Sequence, residues 1–136
     1  MAKHNETGKI GEDIAAEYLT GKGWIIVERN FRRPYGEIDI VARLPGSNPF
    51  GRGETRGLLV FVEVKTVSHG TVPHETYRPE ENIHPQKLRR LGNTIQAYLA
   101  YKRHEGDWRF DVLAVFLNPA TKEAKIRHIE DVIIGA

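Results

Sequence analysis

The run LLVFVEVK, from Leu58 to Lys65, constrains this chain more than any other stretch. Its first five residues are apolar, which is the pattern of a central strand buried on both faces. It nevertheless ends in Glu63 and Lys65. A second β-rich run, GEIDIVA (Gly36–Ala42), precedes it. Between them stand Pro45, Gly46, Asn48, Pro49, Gly51, Gly53 and Gly57, so the two runs predict a hairpin with a long connection. Side chains alternate along a strand, which places Glu63 and Lys65 on one face. The same alternation pairs Glu37 with Asp39, and Ile38 with Ile40 on the opposite face. With paired strands about 4.8 Å apart, Asp39 is expected near Glu63 and Lys65. Charges at the end of an apolar sheet are costly unless they are paired or hold a metal.

The flanking sequence reads as a frame for that cluster. Residues 1–7 read as a loose tail, followed by a helix over Gly8–Lys22 with Ile10, Ile14, Ala15, Tyr18 and Leu19 on its apolar face. Glu12 borders that face and Asp13 points away. Gly21 and Gly23 supply the stop. Trp24–Glu28 predicts a strand and Arg29–Tyr35 a basic turn. Two mobile loops are expected, over 44–57 and 66–84. Pro85 marks the first turn of a second helix that runs to about Arg103 on a stripe of Leu88, Leu91, Ile95, Tyr98 and Leu99. Trp108–Leu117 predicts a strand ended by Asn118-Pro119, and Lys125–His128 a short edge strand. Ile129–Ile134 fits either type. The order α-β-β-β-α-β-β gives an α/β fold, with helices flanking a mixed sheet and the second helix crossing between parallel strands.

With 136 residues the chain has the size of one domain, residues 1–136. A net charge of +2 permits a nucleic-acid partner without requiring one. The absence of cysteine excludes disulfides and thiolate metal sites and fits a reducing compartment. No run is long enough to span a bilayer and the N-terminus lacks an apolar signal core, so the expected location is the cytoplasm, with no membrane partner. Phosphate-cradling glycine loops and G-x-S-x-G are missing, as is any zinc spacing among the six histidines.

An acid on one strand facing E-x-K on its neighbour suits metal-assisted phosphodiester hydrolysis. Asp39 and Glu63 supply hard oxygen ligands for Mg²⁺ or Mn²⁺, and the Val64 carbonyl completes the set. Lys65 orients the attacking water and offsets transition-state charge. It is a poor base, because a free lysine titrates near about 10.4 and an adjacent carboxylate does not lower that value. Glu12 reaches in from the first helix as a further ligand or for a second metal. Arg32, Arg33, Lys87 and Arg90 are candidates to track a phosphate backbone. Each candidate has an ordinary alternative. The Asp39, Glu63 and Lys65 group would be a salt-bridged strand end, and the basic residues a solvated face. Arg109 and Asp111 read as a structural pair. Tyr35 and Tyr77 are candidates for base stacking, and His69 and His74 follow the E-x-K run.

Gly8–Leu19 (G-x-x-G-E-x-x-A-x-x-Y-L), Gly36–Asp39 (GEID), Val60–Lys65 (VFVEVK), Pro85–Leu91 (PQKLRRL) and Arg109–Val112 (RFDV) together resemble the uncharacterised bacterial YraN-type family. That family is similar to Holliday-junction resolvases in the PD-(D/E)xK, restriction-endonuclease-like superfamily. The resemblance implies a restriction-endonuclease-like fold and a Mg²⁺- or Mn²⁺-dependent endonuclease acting on DNA, on branched or flapped structures. It matches Asp39, Glu63 and Lys65 to the D…ExK core, Glu12 to the helix-borne acid of the resolvase-like group, and Lys87 to a polar helix residue of some members. Resolvase-like proteins commonly work as dimers, so the resemblance allows a homodimer, although no stretch here signals an interface. Ile38 replaces the usual proline, and Val67 replaces a frequent basic residue. The competing expectation is a nucleic-acid-binding or scaffold protein that keeps the fold without turnover.

Overall fold

Helices α1 (Ala2–Gly21) and α2 (Pro85–Lys102) lie on opposite faces of one five-stranded sheet. The sheet comprises β1 (Ile25–Arg33), β2 (Gly36–Leu44), β3 (Leu58–Ser68), β4 (Trp108–Leu117) and β5 (Ala124–Ile129), adjacent in chain order. Strands β3 and β4 are parallel and all other neighbours antiparallel, so α2 carries the crossover. This is the α/β order that the sequence predicts. The structure, a computed structural model, describes residues 2–45, 57–68, 78–81, 83–118, 120–121 and 123–134. Most of the two long connections therefore lies outside the described residues, including His69, His74 and Tyr77.

The apolar run of β3 is divided between two cores. Leu59 and Phe61 face α2, where they meet Leu91, Ile95 and Tyr98. Val60 and Val62 face α1, where they meet Ala15 and Leu19. Phe61 and Phe31 pack edge-on against Tyr98, with ring centroids 5.5 and 5.0 Å apart, which fixes the height of α2 above the sheet. Each such buried side chain stabilises the fold by about 1.5–3 kcal/mol.

Two close approaches bring the helices onto one end of the sheet. A Cβ on Gly11 would lie 1.8 Å from Thr66 Oγ1, so the glycine lets α1 descend on the end of β3. A Cβ on Gly36 would lie 2.5 Å from Thr94 Oγ1 and 3.1 Å from the Arg90 carbonyl, so this glycine lets α2 descend on the start of β2. In both cases the next residue is a glutamate, Glu12 or Glu37.

Several boundaries differ from the sequence expectation. The helix begins at Ala2 rather than Gly8, because Ala, Lys and Glu favour helix and no proline interrupts residues 2–7. Arg29, Arg32 and Arg33 belong to β1 and not to a turn, because Phe31 is buried against α2 and draws the strand on to Arg33. The turn is reduced to Pro34 and Tyr35, between paired Arg33 and Gly36. Thr66–Ser68 extend β3 beside Val115–Leu117, and Ile83 is buried in the α2 core, so the expected 66–84 loop is structured at both ends. Strand β5 spans Ala124–Ile129, longer than Lys125–His128.

The strict alternation expected at Asp39 also fails. Ile38 packs in the α2 core, whereas Ile40 packs in the α1 core. The same break occurs on β1, where Phe31 faces α2 while Arg29 reaches Asp13 of α1. Asn30, between those two, has a left-handed φ of 54°. Asparagine tolerates this conformation better than most residues. Asn30 and Asp39 lie between the pairs Arg29↔Ile40 and Phe31↔Ile38, so both strands shift face at the level of Asp39.

Candidate active site

The β2–β3 ladder runs from Leu44↔Leu58 to Ile40↔Val62. At the next step Asp39 Oδ2 accepts the Val64 N–H at 2.8 Å, so a carboxylate takes the place of a ladder carbonyl. A residue's N–H and C=O leave an extended strand by the same edge, so the Val64 carbonyl faces the same gap. Asp39 is 8% and Glu63 3% exposed. Burial, followed by the nearby Glu63 charge, pushes the Asp39 carboxyl up to about 8, against the Val64 hydrogen bond. Metal-free Asp39 therefore keeps its proton at neutral pH.

Glu63 takes its counter-charge from α2. Its Oε1 lies 2.7 Å from Lys87 Nζ. The lysine is held there by the first turn of α2, where Pro85 starts the helix and His84 Nδ1 accepts the Gln86 N–H at 3.0 Å. Burial pulls Lys87 down, but the charge and hydrogen bond of Glu63 outweigh it and hold the ammonium above its ordinary range. The expected partner, Lys65, is half-buried and has no ion pair among the described residues.

Glu12 approaches from the other face. Its Oε1 is buried and has no hydrogen-bond partner among the described residues. Burial raises its pKa, with Arg29 opposing and Glu37, Asp13 and Glu63 adding. The Arg29–Asp13 pair, 2.8 Å, anchors α1 to β1 beside it.

The four predicted phosphate-binding residues share one cavity. Arg32, Arg33, Lys87 and Arg90 line a space of about 670 Å³ with Tyr35, Leu91 and one acid, Glu37. The cations are not equivalent. Arg32 pairs with Glu37 at 3.0 Å, and Arg33 lies over Phe31 at 4.2 Å. Glu37 is thus a partner across the hairpin and not a part of the acidic pair. Lys87 links the cavity to Glu63, because it lines the first and bonds the second.

Two features bear on whether a divalent cation fits. Burial and the neighbouring Glu63 charge hold the Asp39 carboxyl above its ordinary range, and Glu12 Oε1 is an orphaned acceptor. Both suit a hard cation held by oxygen ligands. No group of three or more acids or histidines in ligand geometry occurs among the described residues. The oxygen donors nearest this point of the sheet are the carboxylates of Asp39 and Glu63 and the Val64 carbonyl.

Arg109 and Asp111 form the structural pair that the sequence predicts, with Nε–Oδ1 2.9 Å and Nη2–Oδ2 3.0 Å. Burial pushes fully buried Asp111 up. Hydrogen bonds from His128, Arg109 and the Asp131 N–H outweigh this and hold it below the usual carboxylate range. His128 Nε2 lies 2.7 Å from Oδ2. The strand pattern of RFDV exposes the pair, but nothing in the sequence announces His128 as its third member.

A sequence model of the uncharacterised protein family UPF0102 matches residues 11–115. The chain belongs to this family. It is similar to a UPF0102 protein of Christiangramia forsetii, 36% identical over 131 residues and 96% of both chains. A UPF0102 protein of Flavobacterium psychrophilum is 35% identical over 131 residues, again 96% of both chains. One from Persephonella marina is 40% identical over 112 residues, 82% of this chain and 84% of its own. The UPF0102 match contains Glu12, Asp39, Glu63, Lys65 and Lys87, together with β3 and with β4 as far as Val115. No helix among the described residues of this UPF0102 protein is long and apolar enough to cross a membrane.

Proposed function

We propose that this UPF0102 protein is a cytoplasmic, Mg²⁺- or Mn²⁺-dependent nuclease that hydrolyses DNA phosphodiester bonds on branched or flapped structures. Its fold on this reading is restriction-endonuclease-like, of the PD-(D/E)xK type. The carrying observation is the buried pair Asp39 and Glu63 at the point where β2 and β3 part, joined through Lys87 to a cationic cavity.

Asp39, Glu63 and the Val64 carbonyl would hold the cation, and Glu12 would have to shift toward them from α1 to add a ligand. A bound divalent cation supplies charge neutralisation at phosphate oxygens and a more acidic water. The protein does the rest. Asp39 gives up its proton when the cation binds, so binding strengthens with pH. Arg90 and Arg33 hold phosphate groups at the cavity, and Tyr35 offers a face for a base. Lys65 stabilises charge that develops during displacement and holds the water in line.

One observation favours the second reading, a nucleic-acid-binding scaffold without turnover. Glu63 already has a cation in Lys87, which a structural ion pair would also show. Calorimetry with MnCl₂ on wild type and Asp39→Ala separates the two. The nuclease reading expects binding that is lost in the variant, and equal heats would refute it. DNA binding should weaken with salt on a log–log slope of about 0.9 per phosphate contact. A salt-independent affinity would count against both readings.

A further inference from the structure

Lys87 is placed unusually for a cation that only binds DNA. Its Nζ lies 2.7 Å from Glu63 Oε1, while its side chain remains 51% exposed and lines the cavity of Arg32, Arg33 and Arg90. Glu63 is 3% exposed and has no other ion-pair partner among the described residues. The ammonium therefore stands where a divalent cation on Glu63 would have to sit or press. A flexible four-carbon stem lets the same group turn outward without moving α2.

We infer that Lys87 is an exchangeable counter-ion, which occupies Glu63 in the metal-free protein and is released into the basic cavity when a divalent cation binds there. The inference rests on the metal-dependent reading above. It makes Lys87 a positioning residue that links two events. Cation binding frees an ammonium at the cavity, where it meets a phosphate. Phosphate binding in turn draws the ammonium off Glu63 and favours the cation. Linkage requires both effects to be of equal size. Without phosphate or metal, Lys87 keeps the buried carboxylate paired and so protects the fold.

The test uses MnCl₂ as the only ligand. Calorimetry on wild type and Lys87→Met should show tighter Mn²⁺ binding in the variant, by about tenfold within the 5–150-fold range usual for coupled sites. Equal or weaker binding in Lys87→Met would overturn the inference while leaving the metal reading standing. No Mn²⁺ binding by either protein would overturn both. The variant leaves Glu63 unpaired, so a second measurement uses the wild type alone. Acetylation of Lys87 by a water-soluble amine reagent, followed by mass spectrometry, reports release from Glu63. Mn²⁺ should raise its rate, because an amine released from Glu63 is open to the reagent. An unchanged rate with Mn²⁺ bound would overturn the exchange.

Discussion

Replacing Asp39 by Asn removes a titratable carboxyl while keeping an oxygen that accepts the Val64 N–H, a hydrogen bond of 2.8 Å in the wild type. The folded carboxyl titrates at about 8 against an ordinary value of 3.8. Between those values the folded protein holds a proton that the unfolded chain has released. Stability of the metal-free protein therefore falls as pH rises through that window. Each unit corresponds to about 1.4 kcal/mol, which sets a ceiling near about 6 kcal/mol. Only part of that window lies between pH 5 and pH 8, and residual structure in the unfolded chain reduces the effect, so we expect about 2–3 kcal/mol there. For a chain of this size that is about 6–12 °C in Tm. Urea denaturation in EDTA should find the two proteins alike near pH 4.5 and Asp39→Asn the more stable at pH 8. Added Mn²⁺ should stabilise the wild type at pH 8, by about 2.7 kcal/mol at a hundredfold excess over Kd. It should do little for the variant. Parallel stability curves from pH 5 to pH 8 would refute the buried, proton-holding carboxyl.

Gly11→Ala drives a methyl to 1.8 Å from Thr66 Oγ1 and should cost about 1–3 kcal/mol, with partial rescue in the double variant with Thr66→Ala, measured as a thermodynamic cycle. Arg109→Ala leaves fully buried Asp111 with His128 and the Asp131 N–H alone, and should cost about 3–5 kcal/mol in urea denaturation. Because Asp111 is held low, its contribution is present above the unfolded value and is lost as pH falls, so the difference between wild type and Arg109→Ala should shrink in acid.

The order of elements was readable because the helices and β3 carry strong periods. Leu91, Ile95 and Tyr98 fall at helical spacing, and the apolar run from Leu58 to Val62 admits little but a central strand. Proximity of Asp39 to Glu63 followed from pairing two such runs. Its geometry did not follow, because alternation assumes a regular strand and Asn30 at φ 54° breaks the β1–β2 pair there. No residue pattern marks that break. Lys87 was legible as a basic residue in the first turn of a helix that Pro85 begins. Its bond to Glu63 depends on how low α2 sits, which Gly36 permits by a contact invisible in one dimension.

The most direct measurement is cleavage of end-labelled branched, flapped and linear DNA by rigorously purified protein in Mn²⁺, beside DNA binding and thermal unfolding, for wild type and Lys65→Ala. Lys65 lacks an ion pair among the described residues, so its removal should leave the fold and ground-state binding nearly intact and lower turnover. The account predicts cutting of at least one substrate by the wild type, lost in Lys65→Ala with binding retained. A wild type that cuts none of them, or a variant that cuts as well as the wild type, would contradict it.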